Sequence, residues 1–308
     1  MTEIKIIINI LLSILCSSLI AIVFKFSEGR ESNRYMVTSI NYLSGMMASI
    51  IMMGSLNIFH INWFSMFMQE FNQVLISGQL FSKEGTGALA IILGIITCIL
   101  YFLSFILYQK SVGKNGVSVS ATFMKLGVLI PTILSVILLG ETIELLPILG
   151  IILSIIAIIV INLNNKEEQK VKDTMKVDLI LLFILAGGGD FVTKLFQNFG
   201  MVQYKNLYLF YTFLTGFTIS LIMLIIKNRK VKLIDMCFGV MVGIPNVLMP
   251  SFLIKGLEEV RAVIAFPMVS AGTILITNFC GVIFFKEKLG KKEITAIVLT
   301  IIAIILMS

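Results

Sequence analysis

The sequence predicts an all-α integral membrane protein: ten transmembrane helices arranged as two inverted five-helix repeats. Three observations lead there. Of the 308 residues, 58% are hydrophobic and only 13% charged, whereas soluble globular proteins have about 25% charged residues. The apolar residues fall in runs of about 20 divided by short polar linkers, each long enough to cross the hydrocarbon core as a helix. Landmarks of the first half also recur in the second. A membrane barrel would instead alternate apolar and polar residues along each strand, and no such alternation is visible.

Taken in order, the expected spans of the first half are Ile4–Phe24, Met36–Ser55, Gly87–Tyr108, Val117–Leu139 and Leu145–Leu163. Those of the second half are Val177–Phe196, Leu207–Ile226, Ile234–Ile254, Ala262–Phe285 and Ile294–Met307. The first run superficially resembles a signal peptide. It is long, ends in no small-residue cleavage pattern and precedes nine more runs, so it reads as the first helix. Most linkers are short, which forces successive helices to run antiparallel and pack closely. Gly239 and Gly243 form a small-xxx-small pair suited to close helix packing. One linker differs. From Asn57 to Thr86 the sequence mixes His60, Asn62, Gln69 and Glu70 with Trp63, Phe67 and Phe71. That mixture predicts a short amphipathic helix on the membrane surface, with Trp63 at headgroup depth; a lid over a transport path is the sharper alternative.

The repeat emerges from polar as well as apolar landmarks. Ile152–Val160 reads ILSIIAIIV and Val298–Leu306 reads VLTIIAIIL, 146 positions apart. The same offset lays Gly140-Glu141-Thr142 over Lys286-Glu287-Lys288. Near the front of each half, Lys25 and Lys194, Tyr35 and Tyr204, and Tyr42 and Tyr211 are each 169 apart. The larger offset requires extra residues between the second and third spans, where the long linker lies. Residues 1–165 are therefore expected to form one repeat, with an interfacial insertion at 57–86, and residues 166–308 the second. An odd number of spans per repeat inserts the second copy upside down, a recurrent transporter plan with its solute site near the bilayer midplane.

The net charge of +7 is no nucleic-acid footprint, because the basic residues cluster in the linkers. Sixteen lysines and arginines follow spans one, three, five, seven and nine, against five on the opposite side, which places both termini outside by the positive-inside rule. Cys16, Cys98, Cys237 and Cys280 lie in or beside apolar runs without CxxC spacing and read as buried small hydrophobes. Lysine outnumbers arginine 20 to 4 and isoleucine is abundant, pointing to an AT-rich bacterial genome and a bacterial cell membrane.

Ionisable groups inside a span are costly and normally face a protein interior or a watery path. Asp190 lies within the sixth span, one helical turn before Lys194 and after three glycines, Gly187 to Gly189. It could bind a cationic solute group, carry a coupling proton, or form a structural pair with Lys194 or Lys125. Lys125 lies inside the fourth span, where it could meet an anionic solute group or Asp190. Lys194 and Lys25 lie near span ends and could snorkel to the interface. Asn41, Tyr42, Tyr101, Tyr211, Asn246 and Asn278 could line a path or form helix–helix hydrogen bonds. Pro131, Pro245, Pro250 and Pro267 fall within spans and suit cavity walls or hinges. Glu141 and Glu287 sit at turns and read as setting loop geometry.

The Gly140-Glu141 and Lys286-Glu287-Lys288 turns and the run Gly189-Asp190-Phe191-Val192-Thr193-Lys194 resemble the drug/metabolite transporter superfamily, EamA type. Its first-span pattern is roughly Gly-x-Asn-Phe-x-x-x-Lys; Gly188, Asp190 and Phe191 match it with Asp replacing Asn, and Lys194 lies one position short of the pattern's lysine. The first half keeps only Lys25, with Leu19 and Ile20 at positions usually small. The resemblance covers nearly the whole sequence outside 57–86. It implies solute transport, often export, a cavity lined by the first four helices of each half, and cytoplasmic termini, against the charge count. The resulting expectation is a secondary transporter of a small polar metabolite, embedded in the lipid bilayer and coupled to a proton or cation or to neither. No cofactor, metal or nucleic-acid partner is expected. A channel or scaffold is the alternative. An intramembrane lipid-modifying enzyme fits less well: the single histidine, His60, lies in a linker and no HExxH motif is present.

Overall fold

The computed structural model describes residues 2–28, 33–54, 60, 62–115, 117–142, 144–162, 173–227, 232–285 and 291–307. They are helical almost throughout: α1 (Thr2–Glu28), α2 (Arg34–Met53), α3 (Asn62–Ser77), α4 (Lys83–Asn115), α5 (Val117–Leu126) and α6 (Leu129–Leu139). There follow α7 (Leu145–Asn162), α8 (Asp173–Phe199), α9 (Lys205–Lys227), α10 (Leu233–Gly256), α11 (Ala262–Phe285) and α12 (Lys291–Met307). Among the described residues, six helices are long and apolar enough to cross a membrane, and Ile8–Phe24, Phe123–Leu139 (interrupted at 127–128) and Leu145–Val160 are shorter apolar helical stretches. Large apolar side chains such as Ile51, Ile137 and Ile226 are exposed, as lipid-facing surfaces require. The protein is a multi-pass, all-α integral membrane protein.

The expected fourth span, Val117–Leu139, is not one helix. It breaks at Gly127–Val128 into α5 and α6. Pro131 has no N–H to donate to the Gly127 carbonyl, and the Ile130 amide bonds that oxygen instead at 2.9 Å. Local signals fix other ends. Asn33 caps α2, its side-chain oxygen accepting from the Tyr35 and Met36 amides at 3.1 and 3.3 Å. Gly140 ends α6 with a left-handed φ of 68°.

The protein divides into two compact units. One comprises Leu15–Ile99 and Val192–Glu258. Within it α2 packs against both α9 and α10. The α2–α9 crossing is reciprocal: a Cβ on Gly45 would overlap the Phe213 ring, and one on Gly216 would overlap the Tyr42 ring. The earlier residue of each helix thus meets the later residue of the other, which makes the crossing antiparallel. Matching hydroxyls repeat the relation. Ser44 and Thr215 donate four residues back, to Ile40 and Tyr211, each at 2.8 Å. Ser49 and Ser220 donate three residues back, to Met46 and Phe217, at 2.7 and 3.1 Å. Each pair is 171 positions apart. A self-complementary contact of this kind is what a two-fold relation produces. Gly239 and Gly243 let α10 close onto Ile40 and onto Asn41 and Ser44, in line with the small-xxx-small reading. Asp235, fully buried, ties the N-termini of the two helices by accepting from the Asn33 amide at 3.1 Å and the Lys232 amide at 2.9 Å.

The amphipathic helix expected in 57–86 is α3, but Trp63 faces inward. It is buried in the core of this unit with Phe67 and Val74, its ring packed where a Cβ on Gly87 would lie.

The other unit comprises Met1–Ile14, Leu100–Phe191 and Glu259–Ser308. In it α7 packs along α12, and α11 packs on α6, α7 and α12. Ala157 and Ala303, equivalent at the 146 offset, are both buried, as are Ser154 and Thr300. Glu141 accepts from the Ala262 and Val263 amides at 3.2 Å each, capping α11, and the Arg261 guanidinium donates to the Thr142 carbonyl at 2.5 Å. Glu141 therefore sets loop geometry, as its turn position suggested; Glu287 lies outside the described residues.

Candidate functional site

Three of the expected site residues come together in the unit containing Leu100–Phe191. The Tyr101 hydroxyl on α4 donates to Asp190 Oδ1 on α8 at 2.6 Å, at the short end of the hydroxyl–oxygen range. Lys125 interacts electrostatically with Asp190. It stands in the last turn of α5, where the partial negative charge of a helix C-terminus favours an ammonium group. All three side chains are half-buried. The Lys125 alternative for the partner of Asp190 thus has a structural basis.

The glycines before Asp190 are what bring the helices close enough. A Cβ on Gly187 would overlap the carbonyl oxygen of Gly127 at the α5–α6 break. A Cβ on Gly189 would lie 2.6 Å from the Tyr101 ring. Glycine at 187 admits the broken backbone, and glycine at 189 admits the ring whose hydroxyl reaches Asp190. Gly188 has only ordinary contact, with a Leu100 methyl 3.6 Å from its Cβ position. The sequence signalled the break through Gly127 and Pro131 four residues apart, a pairing the expected continuous span passed over.

The other candidates are placed elsewhere. Asn246 Nδ2 donates to Asn41 Oδ1 at 3.1 Å, so these two form a helix–helix pair between α10 and α2. Tyr42 lies over Gly216 with its ring centroid 5.9 Å from that of Phe213. Tyr211 packs edge-on to Phe210, centroids 5.1 Å apart, and its Cβ lies near Gly94 of α4. Lys194 is buried, and its ammonium donates to Gln197 Oε1 at 2.7 Å, so it does not snorkel outward. Lys25 and Asn278 lie on α1 and α11, with side chains outside the described residues.

One polar cluster was missed. The buried Tyr208 hydroxyl lies 2.9 Å from Thr97 Oγ1 and 2.8 Å from Thr193 Oγ1, joining α9 to α4 and α8. Its ring stacks on Phe196 with centroids 4.6 Å apart. The sequence signal was a hydroxyl on each of three apolar runs, too common in membrane helices to single out. Among the described residues, no group of three or more His, Cys, Asp or Glu side chains converges to hold a metal ion.

Residues 179–308 match the EamA-like transporter family. A solved crystal structure, described only as that of a protein, aligns with 98% of this sequence and 97% of its own at 11% identity, with a TM-score of 0.69. At that identity the likeness concerns the fold. No curated protein matches in sequence. The matched segment takes in Asp190 and every residue after it, so this membrane protein is similar, across most of its second half, to EamA-like transporters, a family of carriers rather than enzymes.

Proposed function

We propose that this protein is a secondary transporter that moves a small polar metabolite across a bacterial cell membrane by alternating access, with Asp190 as its central solute- or ion-binding group. The observation that carries the reading is the Asp190–Tyr101 hydrogen bond beside the broken fourth span, with Lys125 in electrostatic range. A carboxylate and an ammonium on separate helices, next to interrupted backbone, form an arrangement transporters use to hold charged solute groups or coupling ions. A cationic solute group or a proton would compete with Lys125 for Asp190, and an anionic group would compete with Asp190 for Lys125.

The ten-span, inverted-repeat plan belongs to the same proposal, with residues 1–165 and 166–308 as its halves and the solute cavity where they meet. It is supported by the reciprocal, antiparallel α2–α9 crossing, by the paired burial of Ala157 and Ala303, and by the similarity of residues 179–308 to a transporter family.

The test uses purified protein in liposomes, with a solute first identified by a ligand-induced rise in melting temperature. Saturable counterflow of that solute is expected, and Asp190→Asn is expected to reduce it by tenfold or more, on the order of 1.4 kcal/mol of lost stabilisation. Flux that rises linearly with solute and shows no counterflow would favour a channel instead.

A further inference from the structure

Helix α3 has more apolar surface than the protein core uses. Its inward face carries Trp63, Phe67 and Val74, all buried. Two anchors fix its orientation: Phe67 stacks on Phe81 with ring centroids 4.9 Å apart, and Glu70 Oε2 accepts from the Ser82 amide at 2.9 Å, just before α4 begins. A second apolar stripe, Phe64, Met68, Phe71 and Leu75, follows the helical spacing of three and four residues. Its members are 36%, 73%, 40% and 52% exposed. At about 100° per residue this stripe lies roughly 100° round the helix from the inward face. The remaining third of the circumference carries the exposed polar residues Asn62, Ser65, Gln69, Asn72 and Gln73, with the exposed Ile76 among them in the last turn. Two faces would suffice for a helix lying between protein and water; α3 has three.

We infer that the Phe64–Met68–Phe71–Leu75 face is a lipid-binding surface, seated among the upper acyl chains of one leaflet while the Asn72 face meets water. The location follows from the connectivity: α3 joins two membrane-length helices, α2 and α4, and is pinned beside the first turn of the second. It therefore lies at the bilayer boundary, where an apolar stripe beside a polar one is accommodated by lying in the interface plane. The occupant is the acyl layer rather than an anionic headgroup, because α3 contains no lysine or arginine and its only charged residue is Glu70. The linker between α9 and α10, 228–232, is far too short for such a helix, so the surface belongs to one half of the protein and grips one leaflet only. The reading is independent of transport.

Trp63 is the only tryptophan, which makes a single-reporter experiment direct. In a Trp63→Phe background, Phe71→Trp and Asn72→Trp would be compared in phosphatidylcholine vesicles brominated near the headgroup end or near the methyl end of the acyl tails. The tryptophan at 71 should be quenched more by bromine near the headgroup end, by about twofold or more for a helix buried ~5–10 Å into the boundary, and shielded from iodide in water. The tryptophan at 72 should show the reverse pattern. Leu75→Trp provides a second position on the lipid face. Should Trp63→Phe weaken the fold, the same substitutions in the protein retaining Trp63 read out over that buried ring's constant background. Iodide access at 71 without bromolipid quenching would overturn the inference. So would shielding from both quenchers that disappears as the protein is diluted in lipid, since a second copy of the protein would then cover the face.

Discussion

Two helix-packing regions differ in whether their residues recur along the sequence. Where α2 meets α9, Tyr42 and Gly45 face Gly216 and Phe213 in a reciprocal, uncharged contact, and matching hydroxyls repeat 171 positions apart. Where α4, α5 and α8 meet, Tyr101, Lys125 and Asp190 form a charged cluster with no such echo. At the 169 offset Asp190 faces Ala21, and at the 146 offset Tyr101 and Lys125 face Val247 and Ala271. All three counterparts are apolar. The α2–α9 contact has matching residues on both of its helices, whereas the charged cluster has no such counterparts. The matched packing is proposed to serve the scaffold, and the charges without a counterpart in sequence to carry solute-specific chemistry.

Substitutions sharpen or break that comparison in descending order of effect. The largest is expected from Gly187→Val, whose side chain meets the Gly127 carbonyl rather than a movable side chain. Overpacking against backbone should cost about 3 kcal/mol or more, read as lost monodisperse protein or a collapsed melting transition in detergent. Next come Gly45→Ala and Gly216→Ala, each pressing on an aromatic ring and each expected to cost about 2 kcal/mol. Their losses should agree within about 0.5 kcal/mol; a wide gap in denaturation midpoints would break the two-fold reading. Tyr101→Phe leaves the Asp190 carboxylate without its donor and should cost about 1.5 kcal/mol, while the equivalent position, Val247, offers no such polar loss. The smallest effect is expected from Asn41→Ala, about 0.6 kcal/mol for a hydrogen bond between membrane helices. Adding Asn246→Ala should then cost little more, because both changes remove one interaction.

Much of this was legible in the sequence, and for identifiable reasons. Long apolar runs fix membrane helices because no other open backbone survives in lipid, so most helix positions followed directly. The 146 offset located Ala157 and Ala303, buried residues on the packed pair α7 and α12. The 169 offset found tyrosines yet missed the register of 171 that α2 and α9 use. Glycine and serine were the true landmarks there, and both are common enough to match by chance. Asp190 and Lys125 stood out because charge in a span is rare, and the structure places them in electrostatic range. The break at Gly127–Val128 was signalled by Gly127 and Pro131 but passed over, and the inward turn of Trp63 was not legible. The first depends on Pro131 acting on a carbonyl four residues earlier, and the second on which apolar stripe of α3 meets Gly87.

The central claim is that the one-sided charge at Asp190 carries solute-specific function. Counterflow by reconstituted Asp190→Asn, set beside Gly45→Ala as a variant of the symmetric scaffold, tests it most directly. The account predicts that Asp190→Asn keeps a melting temperature near that of the native protein and loses saturable counterflow, while Gly45→Ala melts earlier and still transports. Native counterflow by Asp190→Asn would contradict it.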